Sequence, residues 1–128
     1  MRMGFAQGEL VLEVGYGADC DAALRSEIMK ITGTKFLEGS TNEVIDAVLL
    51  WFREDDGDLV DELMDAMAYL SETGSIWVLT PKVGRIGHVE PSDIQDAAPT
   101  CGLSQTSSLA VAADWTATRL VARKAGKR

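Results

Sequence analysis

Residues that build metal centres and covalent frameworks are scarce in this chain. It has two cysteines and one histidine among 128 residues. Cys20 and Cys101 show no ligand spacing, and His88 has no second histidine to join it. Neither a zinc-type cluster nor a disulfide scaffold is therefore expected, and no metal is expected. Long apolar runs are missing too: none approaches the ~20 residues of a membrane span. The opening MRMGFAQGE turns polar at once and lacks the apolar core of a secretion signal. Together with the unpaired thiols, this places the chain in the cytoplasm.

Positive charge is also in short supply. The net charge is −8, and four of the 12 basic groups sit in the last six residues, RKAGKR. Residues 1–122 thus hold 8 basic against 20 acidic groups. A body of that sign repels phosphate backbones and anionic lipid, so nucleic acid and membranes are excluded as partners. The division expected is one domain over 1–122 and a short, solvated basic tail over 123–128.

What is present is ordinary for a globular domain: 46% hydrophobic and 25% charged residues, enough to bury a core. Two periodicities alternate along it. LVLEV (10–14) reads as a strand that ends at glycines, and residues 19–31 as a helix. Asp19 or Asp21 caps that helix, Leu24, Ile28 and Ile31 line it, and Gly33 stops it. KFLE (35–38) is a brief strand. VIDAVLLWF (44–52) is almost unbroken apolar, the mark of a strand covered on both faces.

Residues 58–72 form the strongest helix, with Leu59, Leu63, Met67 and Leu70 in one stripe and Gly74 as its left-handed stop. SIWVLT (75–80) is a second buried strand, and 81–91 a loop rich in glycine and proline. A short helix starts at Pro91 or Ser92 and ends near Pro99. LSQTSSLAVA and WTATRLVAR are two strands joined by a turn at Ala113 and Asp114. The order β-α-β-β-α-β-α-β-β predicts about six strands, mostly parallel, with helices on both faces. The final pair is joined too tightly for a crossover, so one of its strands runs antiparallel, at the sheet edge. That hairpin also offers a seam for a homodimer. Trp51 and Trp77 fall in apolar strands, whereas Trp115 opens the last strand, facing solvent or a partner.

Three candidate sites fall on the carboxyl edge of such a sheet. The first is VLEVGYGADC (11–20). Gly15 and Gly17 would let backbone amides approach a nucleotide, or they simply permit the tight strand-to-helix turn. The second is REDDGD (53–58). Paired carboxylates could hold Mg²⁺ or act as acid and base. Acids also stabilise a helix N-terminus by about 0.3–1 kcal/mol each, and that simpler role is the expected one. The third is PKVGRIGHVE, whose Lys82, Arg85 and His88 are three potential cations between glycines, a candidate binding loop. No positioned nucleophile accompanies His88, and no catalytic residue is assigned.

The layout resembles the catalytic domain of Rossmann-like S-adenosylmethionine-dependent methyltransferases. LVLEVGYGAD resembles their first glycine loop, VIDAVLLW their fourth strand, ELMDAMAYLSETGSIWVLTPK the next helix and fifth strand, and DIQDAAPTCGL the helix after it. The whole chain is also similar to a family of small actinobacterial proteins of unknown function. GFAQGELVLEVGY, DAVLLWFREDDGDLVDEL, TPKVGRIGHVEPSDIQDAAPT and the W-x-x-T-R-L-V-A ending carry that likeness.

The methyltransferase resemblance implies an α/β three-layer sandwich with cofactor contacts at Gly15, Gly17 and Asp19. Glu38, 21 residues after Gly17, implies a ribose-binding acid. Two departures weaken it as an enzyme. Asp19 stands where a third glycine is usual. Only about 30 residues separate Gly15 from Asp46, room for one helix and one strand where the complete fold has a further strand and helix. The expectation is a shortened, methyltransferase-like domain without catalysis or cofactor, which binds or regulates a protein partner. The alternative is a small S-adenosylmethionine- or nucleotide-binding enzyme completed by a partner or by dimerisation.

Overall fold

Each apolar run of the sequence enters one sheet. The computed structural model describes residues 3–37 and 43–122. Its strands are β1 (Val11–Val14), β2 (Ile45–Trp51), β3 (Leu70–Pro81), β4 (Leu103–Ala110) and β5 (Trp115–Ala122). The helices are α1 (Ala22–Thr32), α2 (Leu59–Met67) and α3 (Pro91–Thr100), with a 3-10 turn at Glu54–Asp56. The sheet order is β1-β2-β3-β5-β4. β1, β2 and β3 pair in parallel, and β5 runs antiparallel to both of its neighbours.

Two expectations are corrected here. The sheet has five strands among the described residues, not about six: the strand predicted over 35–38 is a single parallel bridge between Leu37 and Leu12. The antiparallel strand is not at the edge. β5 lies between β3 and β4, and the edge belongs to β4. The residue pattern explains this exchange. β5 buries Trp115, Ala117, Thr118 and Leu120, whereas residues 105–108 of β4 are polar and exposed.

Helices cover both faces of the sheet. On one side Leu24 and Ile28 of α1 pack with Val11, Ala47, Leu49, Trp51, Trp77, Leu79, Trp115 and Ala117. On the other, Leu59 and Leu63 of α2 and Ile94 and Ala97 of α3 pack with Leu12, Val48, Leu50, Ile76, Val78 and Leu120. Alternate residues of β2 thus enter opposite cores, as the period of a strand requires. Asp21, not Asp19, caps α1 by accepting from Leu24 N at 2.8 Å, and Gly33 ends it at φ 77°.

Gly74 is not a helix stop. α2 ends at Met67, and the chain is already extended in β3 by Leu70, which pairs with Ile45. A Cβ at Gly74 would lie 2.7 Å from Leu70 Cδ1 and 2.9 Å from Asp46 O. The glycine serves close strand packing at a bulge rather than a turn. Pro99 stands inside the last turn of α3, which continues to Thr100.

Candidate functional site

Strands that share a sheet but connect to opposite sides leave a crevice at their carboxyl ends, and ligands of open α/β sheets settle there. In this molecule the crevice lies between β1, whose chain continues through α1 toward Leu37, and β2, whose chain continues through α2 to β3. Gly15 and Trp51 form its two lips. Gly15 has φ +83°, and a Cβ there would collide with the Trp51 carbonyl oxygen. Backbone packing demands this glycine.

Arg53 fills the crevice. Its Nη1 donates to Gly15 O at 2.8 Å and to Trp51 O at 3.2 Å, joining the two lips. Its Nε and Nη2 grip Asp19 in a fork, at 3.0 Å to Oδ2 and 2.7 Å to Oδ1. Nη1 also reaches Asp56 Oδ2 at 3.1 Å. Such forked charge-assisted pairs are the strong kind. The guanidinium's hydrogen bonds hold Asp19 below the usual carboxylate range, and Asp19 and then Asp56 hold Arg53 firmly in its charged form. Gly17 sits against this plug: a Cβ there would lie 3.4 Å from Arg53 Nη2.

The other acid of the loop is neutralised in the same way. Glu13 is 5% exposed. It accepts from Arg25 Nε at 2.7 and 2.8 Å, forms a 2.7 Å ion pair with Arg25 Nη2, and accepts from Trp51 Nε1 at 3.0 Å. Arg25 in turn lies 4.2 Å from the centre of the Tyr16 ring.

Trp115 closes the remaining side. Expected to face solvent or a partner, it is 2% exposed. Its Nε1 donates to Asp19 O at 3.0 Å, its ring meets Trp51 edge-on at 4.9 Å, and the Arg53 guanidinium carbon lies 5.4 Å from its centre. Cys20 Sγ receives Arg53 Nη2 at 3.0 Å and Gly17 N at 3.2 Å, yet burial pushes the thiol up, so it stays protonated at neutral pH.

The structure brings Gly15, Gly17 and Asp19 together around Arg53, which the sequence read only as the head of an acidic run. The available signal was its sign: it is one of 8 basic residues in the first 122, set directly behind a buried strand. Glu38 lies outside the described residues, as does the basic tail 123–128.

Loop 82–88 comes to the same edge. Glu54 N donates to Gly87 O at 2.9 Å, and a Cβ on Gly87 would press on Arg53 Cβ at 3.0 Å. Two consecutive turns shape it, Arg85 N to Lys82 O at 3.0 Å and His88 N to Arg85 O at 3.2 Å. Lys82 N is anchored to Asp114 O at 2.9 Å, and Arg85 pairs with Asp114 at 2.6 Å. The His88 ring fastens the base of the loop. Its Nδ1 donates to Pro81 O at 2.8 Å, since a carbonyl only accepts, and Nε2 lies 3.5 Å from Glu90. The three cations do not converge on one point: Arg85 and His88 each have a partner within the chain.

The acids of residues 53–58 divide. Asp56 belongs to the plug and accepts Arg53 N at 2.9 Å, while Asp58 caps α2 by accepting Val60 N at 2.9 Å. Among the described residues no group of three or more His, Cys, Asp or Glu is arranged to hold a metal ion. No described helix is long and apolar enough to cross a membrane.

The family described as "Protein of unknown function (DUF3052)" matches residues 1–124. The chain belongs to this family. Uncharacterized proteins of Mycobacterium tuberculosis (strain ATCC 25618 / H37Rv) and Mycobacterium bovis are each 50% identical over 129 residues, covering 99% of this chain and 81% of theirs. Among solved structures, the O-methyltransferase NcsB1 of neocarzinostatin biosynthesis, in complex with S-adenosylmethionine, superposes with TM-score 0.66 at 15% identity. It spans 91% of this chain and 49% of its own. A SAM-dependent methyltransferase from Aquifex aeolicus gives 0.60 at 12%, over 93% and 85%. A TehB-like enzyme from Corynebacterium glutamicum gives 0.56 at 13%, over 95% and 84%. At these identities the likeness is one of fold: this family is built on a methyltransferase-like α/β sheet.

Proposed function

We propose that this family member is a methyltransferase-like domain without catalysis, acting in the cytoplasm as a binding or regulatory protein for a protein partner. The observation that carries the reading is the Arg53 plug. The crevice between β1 and β2 is where a nucleotide cofactor would enter, and Arg53 already spends its donors on both lips and on Asp19. A cofactor bringing its own ammonium or sulfonium group to Asp19 would have to break a forked ion pair first. Glu13 is likewise committed to Arg25 and Trp51. The exposed part of the carboxyl edge is loop 82–88, with Lys82 and with Arg85 and His88 held by Asp114, Pro81 and Glu90, and its exposure supports contact with a partner.

The second reading, a small S-adenosylmethionine- or nucleotide-binding enzyme completed by a partner or a second copy, draws on the fold shared with NcsB1, which was solved with S-adenosylmethionine. In that case Gly15, Gly17 and Asp19 would hold the cofactor after Arg53 swings away.

One experiment separates the two. A ligand at 100 times its Kd adds ~2.7 kcal/mol to stability, several degrees in melting temperature for a domain of this size. We expect no shift with S-adenosylmethionine, S-adenosylhomocysteine, NAD or ATP at millimolar concentration. Saturable S-adenosylmethionine binding, lost in Gly17→Trp, would overturn the non-catalytic reading.

A further inference from the structure

Loop 82–88 carries two apolar side chains with nothing over them. Val83 is 81% exposed and Ile86 98% exposed. They are not the product of a loose segment. The two turns, the Lys82 anchor on Asp114 and the His88 clasp on Pro81 fix the loop at both ends. Residues this apolar, pre-arranged at a tip and bordered by Lys82 and Arg85, make a surface suited to an apolar seat with an acidic rim.

The chain contains such a seat. A groove of about 370 Å³ runs between α2 and α3, floored by Phe52, Leu59, Val60, Val89 and Ala97. Glu54, Asp58, Asp93 and Asp96 stand around it. Among the described residues no cation pairs with any of these four acids.

The loop cannot fill this groove in its own molecule, because its ends are fixed and Val83 and Ile86 face solvent. The loop leads into the groove, with Val89 of its lining three residues beyond Ile86, while Ile86 itself lies beside Asp19 and Trp115. We infer that the partner of the tip is a second copy of this chain: Val83 and Ile86 of each protomer enter the α2/α3 groove of the other about a two-fold axis. A two-fold axis makes the exchange reciprocal and closes it at two subunits, with no repeating filament. Lys82 and Arg85 then face the acidic rim. The terminal hairpin is the poorer seam. Its outer strand β4 is interrupted by a register shift between Gln105 and Ser107, and its outward residues are Ser, Thr and Gln. This inference deepens the binding-domain reading, naming the partner, and its failure leaves the cofactor test untouched.

Sedimentation equilibrium of the full chain decides it. Two small tips in two grooves make a modest interface, so the weight-average mass should double between ~10 µM and ~1 mM. Ile86→Glu should stay monomeric over that range, with its circular dichroism and melting temperature unchanged. Lys82→Glu should weaken the dimer roughly 10-fold, and adding Asp96→Lys should restore it. A wild-type chain that remains monomeric throughout overturns the inference. So does a dimer that survives Ile86→Glu, or one abolished by Ser107→Lys on the outer strand while the tip is intact.

Discussion

The carboxyl edge of this sheet has two halves that look alike in sequence and differ in charge balance. Over β1 and β2 three acids meet an arginine of the same chain: Asp19 and Asp56 meet Arg53, and Glu13 meets Arg25. Over α2 and α3, Glu54, Asp93 and Asp96 meet none among the described residues, and Val83 and Ile86 of the loop that leads to α3 stand in solvent. The glycine-rich half is held by ion pairs within the chain, whereas the half read as capping acids and a connecting loop keeps acids without a cation partner among the described residues.

Substitutions can sharpen or break this contrast. Gly15→Val should have the largest effect, because it places a side chain against the Trp51 carbonyl at a φ of +83°. We expect a loss of about 2–4 kcal/mol by chemical denaturation. Glu13→Ala follows, removing the carboxylate from Arg25 and the acceptor from the buried Trp51 indole. It should cost roughly 2–3 kcal/mol. Arg53→Met should cost less, about 1 kcal/mol, since the pair it breaks is partly exposed. If it costs nothing and instead admits S-adenosylmethionine, the crevice is a gated site rather than a sealed one.

Acid titration gives a smaller signal with a definite sign. The folded-state pKa of Asp19 is lowered by Arg53, so its contribution is present above the ordinary aspartate range and is lost as pH falls through the folded value. Asp19→Asn should therefore flatten the fall in stability below about pH 4. Smallest of all, Val83→Ser should leave the melting temperature of a dilute sample within ~2 °C, because nothing in the monomer covers it. A large drop would mean that the loop has a structural partner in its own chain.

The alternation of strands and helices was legible because buried strands and amphipathic helices write different periods. Strand order was not, because a period records which face is buried and not which neighbour is paired. β5 therefore seemed an edge strand until the burial of Trp115 and its pairing with β3 placed it inside. Gly74 misled because a glycine after an apolar helical stripe commonly stops a helix. Here residues 70–73 are taken by the strand, and the glycine answers to Leu70 and Asp46 O. At the crevice the glycines were readable, and so was their carboxyl-edge position. Their occupant was not, because the contact between Arg53 and Asp19 spans 34 positions and no local pattern announces it.

The position of β5 also bears on how the molecule is made. β5, synthesised after the other described strands, is an interior member of the sheet, between β3 and β4. Until it arrives, β3 has an open margin and Trp51 lacks the indole that covers it. A nascent chain halted before Trp115 would present that margin to any extended segment nearby, so insertion of β5, more than synthesis of the glycine loop, completes the described sheet.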